Sequence, residues 1–393
     1  MNGVDGLSWT SVRTGLRGWR VQWLSRGLLV SGLVGLGLGS ALYAVYGPGQ
    51  PYTDRTGPAL LPESSLEVVL QSDEPFGNVA TSSTGLIFYT IHPEVETEGP
   101  KLWVWDGEAR LPFPDTDAQA RLVTPLGLVL QDRTLWVIDH GGHGSEGAKL
   151  LGYDIRSKEL KIVHEFSDEV APLGSYLQDL QVSDEGMVFV ADVSFWRQDP
   201  ALIVLDLQSG KAKRFLTGHP SVQSQGWIIA NPERTMRFFG GVIGFPVGID
   251  GLALTPDNSQ LWFGAMANDS MYRLPTSVLR VDSTEEAVRA ALVRVGLKPL
   301  NDGLSVDVEG HVLITDVEHQ AILRQAPNGD LQTLIRSERM RWPDGLSFGP
   351  DGWLYVTDSA LPHLVLQPER HWQKHGPFAI FRFKPPARGR PGR

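Results

Sequence analysis

Along RWPDGLSFGPDGWLYVTDS, residues 341–359, apolar and polar side chains alternate on either side of a Pro350-Asp351-Gly352 turn. That period of two predicts a hairpin of two half-buried strands. The same pattern returns in SYLQDLQVSDEGMVFVADVS (175–194), VGIDGLALTPDNSQLWFGAM (247–266) and PLNDGLSVDVEGHVLITDVE (299–318). Two looser copies, FGNVATSSTGLIFYTIH (76–92) and TPLGLVLQDRTLWVIDH (124–140), precede them. Six units at a spacing of roughly 40 to 70 residues indicate a radial or solenoidal repeat. A second hairpin follows the first within a unit, turning at Ser209-Gly210 in one copy and at Asn328-Gly329 in another. Four strands in each of six units predict an all-β, six-bladed β-propeller.

The last unit stops one strand short, after FAIFRFK at 378–384, while SLEVVLQ at 65–71 stands alone before the first unit. Pairing these two segments closes the ring and leaves no long free edge. Two stretches interrupt the repeat. Residues 217–249, with Trp227, Phe238, Phe239 and Phe245, form a connection longer than a hairpin needs and are read as a lid or as flank packing. Ser283 and Glu286 form a capping box that predicts a short helix over 283–293.

Residues 28–46, LLVSGLVGLGLGSALYAVY, carry no charge, and Arg13, Arg17, Arg20 and Arg26 precede them. Such a run is long enough for a hydrocarbon core of about 30 Å, and the basic flank holds its own side in the cytoplasm. The propeller is therefore expected outside the cytoplasm, periplasmic or extracellular, behind an N-terminal transmembrane helix. A small-x-small site at Gly39 to Ala41 leaves cleavage and secretion as the alternative. The expected organisation is a cytoplasmic segment 1–27, an anchor or signal segment 28–46, a linker 47–64, the propeller 65–384 and a basic tail 385–393.

Composition narrows the partners. A net charge of -10 and a pI near 5.5 argue against a nucleic-acid surface. The absence of cysteine removes disulfides, thiolate metal sites and a cysteine nucleophile. No G-x-S-x-G elbow, Walker loop, H-E-x-x-H or dinucleotide fingerprint stands in a fitting context. The partners expected are a small-molecule ligand or substrate and the membrane; the sequence leaves the oligomeric state open.

Candidate chemistry gathers where the innermost strands begin. Asn78, Gly127, Asp179, Asp250, Asp302 and Asp344 are predicted to ring one mouth of the central channel, and the glycine after an Asp permits close backbone approach. Asn78, Asp179 and Asp344 are ligand-binding candidates; the alternative is that such carboxylates accept N–H bonds from neighbouring blades. Asp139, Asp192, Asp316 and Asp358 end second strands and are read as fold-maintaining acceptors. Asp302 and His319 are the catalytic candidates: His319, in TDVEHQAI near a blade edge at the mouth, is a candidate general base, with a loop histidine bonded to Glu318 or backbone as the alternative. HGGHG at 140–144 is read as a flexible turn.

The DGL repeats, GHPSVQ (218–223), YRLPTSVLR (272–280) and TDVEHQAI (315–322) resemble bacterial members of the major royal jelly/yellow protein family over residues 65–384. That family is similar in fold to gluconolactonases and paraoxonases, which hold Ca²⁺ at one channel mouth and hydrolyse lactones. The resemblance implies metal ligands at Gln178, Asp250 and Asp302, with Gly77 where those enzymes carry a glutamate. It implies a lactonase-like hydrolase with optional Ca²⁺. A non-catalytic amine binder, a dopachrome-converting activity and a protein-interaction scaffold remain as alternatives.

Overall fold

The computed structural model describes Gly35, residues 37–47 and residues 49–393. Six four-stranded antiparallel sheets account for nearly all its strands. Blade 1 comprises Phe76–Thr81, Ile87–Ile91, Leu102–Trp105 and Arg110–Pro112. Blade 2 comprises Pro125–Gln131, Thr134–Asp139, Lys149–Asp154 and Leu160–Glu165. Blade 3 comprises Leu177–Val182, Met187–Asp192, Ala201–Asp206 and Lys211–Phe215. Blade 4 comprises Ile249–Leu254, Gln260–Ala265, Ser270–Pro275 and Val293–Leu297. Blade 5 comprises Leu304–Val306, Val312–Asp316, Ala321–Gln325 and Leu331–Arg336. The strands of blade 6 are Pro343–Phe348, Leu354–Asp358 and Phe378–Phe383, and its outer edge is Glu67–Ser72.

That outer strand closes the ring as expected. Glu67 pairs with Arg382, Val68 with Phe381 and Leu70 with Ile380. Leu66 enters the apolar cluster of Leu346, Phe348 and Phe381. The sheets are held face to face by apolar layers between successive blades. Phe189 and Val204 of blade 3 meet Leu252 and Phe263 of blade 4 in one such layer. Second strands such as Met187–Asp192 are covered on both faces and buried throughout, whereas the outermost strand Leu160–Glu165 alternates between half-buried and exposed.

The helix expected at 283–293 spans Glu285–Ala291 and seats Val288 in the core. Its cap is Thr284, whose hydroxyl accepts from Ala287 N, and not Ser283, whose N–H donates to Arg280 O. The long connection after blade 3 carries a short strand, Trp227–Ile228, paired in parallel with Gln50–Pro51. Residues 385–393, read as a basic tail, cross the end of the channel opposite the mouth. Arg393 O accepts from Phe348 N at 2.8 Å and from Ser305 Oγ at 3.1 Å, and Arg393 Nη1 donates to Asn258 Oδ1 at 3.1 Å.

Residues 37–46 are helical and belong with Arg237–Gly244 to a small separate unit, in which Gly244 N donates to Tyr46 O at 2.6 Å. Residues 28–34 and 36 of the expected transmembrane segment lie outside the described residues. Among the described residues no helix is long and apolar enough to cross a membrane.

Candidate functional site at the channel mouth

Five of the six innermost strands begin with a bulge. The pairing register slips between Phe76 and Val79, Pro125 and Leu128, Leu177 and Leu180, Ile249 and Leu252, and Pro343 and Leu346. A bulge places one extra residue on a strand and aims two successive side chains at different depths. The ring read from the sequence is therefore two rows. The outer row holds Gly77, Leu126, Gln178, Asp250, Asp302 and Asp344; the inner row holds Asn78, Gly127, Asp179, Gly251, Gly303 and Gly345.

The inner row explains the glycines. A Cβ on Gly127 would stand 2.2 Å from Gln178 O, one on Gly251 2.4 Å from Asp302 O, and one on Gly303 2.2 Å from Asp344 O. In each case the obstacle is the outer-row backbone of the next blade, so only glycine fits. The two inner-row positions with polar side chains turn them to backbone groups. Asp179 accepts from Leu180 N and from Leu252 N of blade 4, both at 2.7 Å, and Asn78 Oδ1 accepts from Val79 N at 2.8 Å. Threonines stitch the bulges to the neighbouring blade. Thr357 Oγ1 accepts from Gly345 N and donates to Gly77 O, and Thr90 Oγ1 accepts from Asn78 N and donates to Leu126 O.

The outer row gathers three carboxylates from blades 4, 5 and 6, all nearly inaccessible to solvent. Asp302 is held from two sides, by Trp342 Nε1 at 2.7 Å and by Gln178 Nε2 at 3.2 Å. Asp250 Oδ2 and Asp344 Oδ2 have no hydrogen-bond partner. Burial, then the charge of Asp302, pushes both of these carboxyls well above the usual carboxylate range. Burial raises Asp302 to about 7 against the lowering effect of its Trp342 and Gln178 bonds. Burial likewise raises Asp179 to about 7.

Residues on the mouth-side connections surround this row. His92 Nε2 lies 3.9 Å from Asp344 Oδ2, too far for a hydrogen bond, and burial lowers its imidazole to about 3, which keeps it neutral. Burial and then the charges of Glu94, Asp250, Asp344 and Asp302 push the Tyr176 phenol well up, so it stays protonated. The Lys298 ammonium is buried and donates to the carbonyls of Ala265, Asn268 and Pro299. The sequence reading overlooked all three: Tyr176 and His92 stand at the ends of repeat copies, outside the alternating strand pattern that drew attention, and Lys298 lies just before its copy.

His319 lies elsewhere. Its Nδ1 is 3.0 Å from Asp316 Oδ2 and its Nε2 3.5 Å from Asp54 Oδ1, and the bond to Asp316 raises its pKa. Neither of these partners belongs to the channel rows. Asp139, Asp192 and Asp358 accept from the backbone N–H of Val123 and Thr124, of Tyr176, and of Trp342 respectively. HGGHG is a tightly bonded turn in which His140 Nδ1 accepts from His143 N and both rings pack on Tyr176.

Oxygen donors with two unpartnered buried oxygens have the chemistry to hold a hard cation. The spacing is wider than in a closed cage. Among the described residues, three other clusters gather their ligand atoms within 4.8 Å of one another, and the Asp250, Asp302 and Asp344 trio is not among them.

The fold is shared with solved structures of low sequence identity. A luciferin-regenerating enzyme superposes with a TM-score of 0.53 at 12% identity, over 83% of this chain and 97% of that one. A gluconolactonase from Xanthomonas campestris gives 0.52 at 13%, over 81% and 89%. The calcium-binding protein regucalcin from Agrobacterium tumefaciens gives 0.52 at 15%, over 84% and 97%. No curated protein sequence matches the chain. The sequence model of the major royal jelly protein family matches residues 129–367, more than half of the chain, and with the propeller and its repeated Asp-Gly bulges the chain belongs to that family.

Proposed function

We propose that the chain is a membrane-anchored, extracytoplasmic propeller that binds a small organic molecule at the channel mouth and hydrolyses a lactone or ester with Ca²⁺ held by Asp250, Asp302 and Gln178. The observation that carries this reading is the pair of buried, unpartnered oxygens on Asp250 and Asp344 beside the doubly held Asp302. Like charges buried together are costly unless a cation joins them. The gluconolactonase and calcium-binding names of two structural relatives support the same reading.

Ca²⁺ bound there would supply positive charge to polarise a carbonyl oxygen. The chain's own residues would do the rest. Trp342 and Gln178 fix the orientation of Asp302, which would hold the ion beside the water that attacks the carbonyl. The protonated Tyr176 phenol would be the donor to the departing oxygen. Below the rows the channel is almost filled, with a residual cavity of about 10 Å³ between Asp179 and Arg393, so substrate enters and leaves by the mouth.

A panel of lactones and esters, assayed with chelator and with added Ca²⁺, tests this. Chelator-sensitive turnover that is lost in Asp302→Asn is the expected result; turnover indifferent to both would overturn it. The wide spacing of the carboxylates and Gly77 on blade 1 favour a second reading, a non-catalytic binder of organic amines. Amine binding by calcium-free protein without lactone turnover would select it. The membrane topology rests on the charge-free run 28–46 behind four arginines, and protease shaving of spheroplasts should remove the propeller.

A further inference from the structure

Blade 6 carries an insertion that its sheet does not need. Between the second strand, ending at Asp358, and the third, beginning at Phe378, the chain makes a 3₁₀ turn at Leu361–His363, a helical turn at Glu369–Trp372 and a further 3₁₀ turn at Gln373–His375. Three histidines from this insertion meet. The rings of His363 and His375 stack with centroids 3.6 Å apart and planes 14° from parallel. His371 lies 4.7 Å from His375 and 5.5 Å from His363 by the same measure. One ring nitrogen from each falls within 4.8 Å of the others. His371 and His375, four residues apart on a helical path, share one face, as metal-binding histidine pairs do.

The hydrogen bonds fix which nitrogens face one another. His363 Nε2 stands 2.9 Å from Glu233 Oε2, so that nitrogen carries the proton and donates it to the carboxylate. Nδ1 of His363 is left with its lone pair, and it faces His371 Nε2 at 3.3 Å. A tetrahedral zinc ion with Zn–N bonds of about 2.0–2.1 Å sets its nitrogens roughly 3.3–3.4 Å apart. That separation suits two ligands on one ion as well as an N–H···N bond, and the stacked His375 ring must turn before its in-plane lone pair can join them. The carboxylate behind His363 is the outer partner that orients a metal-bound imidazole and raises its basicity.

Arg341 pairs with Asp358 at 2.7 Å, and its guanidinium donates to His375 O. Glu233 comes from the connection between blades 3 and 4, which Asn231 ties to Val317 O and Arg341 O.

From this geometry we propose that His363 Nδ1, His371 Nε2 and His375 bind one late first-row divalent ion, Zn²⁺ foremost, with Glu233 as the outer partner of His363 and the fourth position open to water or a ligand. The ion joins the blade 6 insertion to the blade 3–4 connection on the mouth side of the propeller. The site is separate from the channel carboxylates.

The test uses the full chain, purified without a polyhistidine tag and stripped by chelator, with Zn²⁺ alone titrated against a chromophoric competitor. One ion per chain is expected, and Co²⁺ in its place should give the intense visible bands of tetrahedral coordination. Glu233→Gln should weaken binding by about 10- to 100-fold, and His371→Ala and His375→Gln should weaken it further. Asp302→Asn should leave it unchanged, which separates this site from the calcium reading. Thermal unfolding in chelator confirms that the variants are folded. Absence of binding in the folded parent, or unchanged affinity in both histidine variants, overturns the proposal.

Discussion

Trp342 Nε1 donates to Asp302 Oδ2 at 2.7 Å, so the residue that opens blade 6 holds the carboxylate of blade 5. The Trp-Pro-Asp-Gly opening of the last blade then makes physical sense. Trp342 steadies the neighbouring carboxylate, Asp344 contributes the next one, and Gly345 lets the backbone of Asn78 approach, since a Cβ there would lie 3.0 Å from Asn78 Cα.

Trp342→Phe tests that link. The substitution removes one donor from a buried carboxylate and leaves space behind, which should cost about 2–4 kcal/mol. The indole bond favours the ionised carboxylate and so lowers the pKa of Asp302. The loss should therefore be larger at pH 8, where Asp302 is ionised, than at pH 5. Urea unfolding at the two pH values checks it; an equal loss at both would mean that only packing had changed.

The carboxylate trio predicts a pH effect of definite sign. Asp250, Asp302 and Asp344 have folded pKa values above the unfolded value of about 3.9. Such groups bind protons more tightly when folded, so their contribution to stability declines as pH rises from about 4 through about 7. The buried neutral His92 and His140 act oppositely, losing stability as pH falls below about 6.5. Asp344→Asn isolates the first effect. In chelator it should melt a few degrees higher than the parent at pH 8 and match it near pH 4; a lower melting temperature at pH 8 would contradict the repulsion.

The inner-row glycines should be intolerant of a methyl group. Gly303→Ala drives a Cβ against Asp344 O, a backbone atom that cannot swing away, at a cost of about 1–3 kcal/mol. Gly57→Ala, with nothing within 4 Å, is the control and should stay within about 0.5 kcal/mol of the parent. Chemical denaturation of the pair decides it, and similar stabilities would remove the packing explanation.

Ring closure should be cooperative. Deleting residues 64–72 strips the outer strand from blade 6, exposing the edge of Phe378–Phe383 and removing Leu66 from its cluster. A single transition at lower temperature is expected, followed by circular dichroism; an unchanged transition would show that the strand is dispensable.

Most of the architecture was legible because period-two alternation and turn residues recur in every unit, and because the unpaired strands at 65–71 and 378–384 can only satisfy one another. The rows at the mouth were not. A bulge adds one residue to a strand without disturbing its apolar pattern, so Gln178-Asp179 and Asp250-Gly251 look alike in sequence while their carboxylates sit at different depths. Asp179 thus serves the backbone of blade 4 while Asp250 faces the cluster. The histidine cluster was equally hidden, since residues 359–377 lie outside the repeated motif and Glu233 lies 130 positions from His363. His319 fits its motif but is drawn to Asp316 three residues earlier, a local bond that the strand pattern does not display.

The central claim is that the outer row binds a cation, and calorimetric titration of Ca²⁺ into chelator-treated full chain tests it most directly. One binding event per chain is predicted, abolished or strongly weakened in Asp302→Asn and Asp250→Asn and retained in His371→Ala. No heat of calcium binding in protein that unfolds cooperatively, or binding that survives both aspartate substitutions, would contradict it.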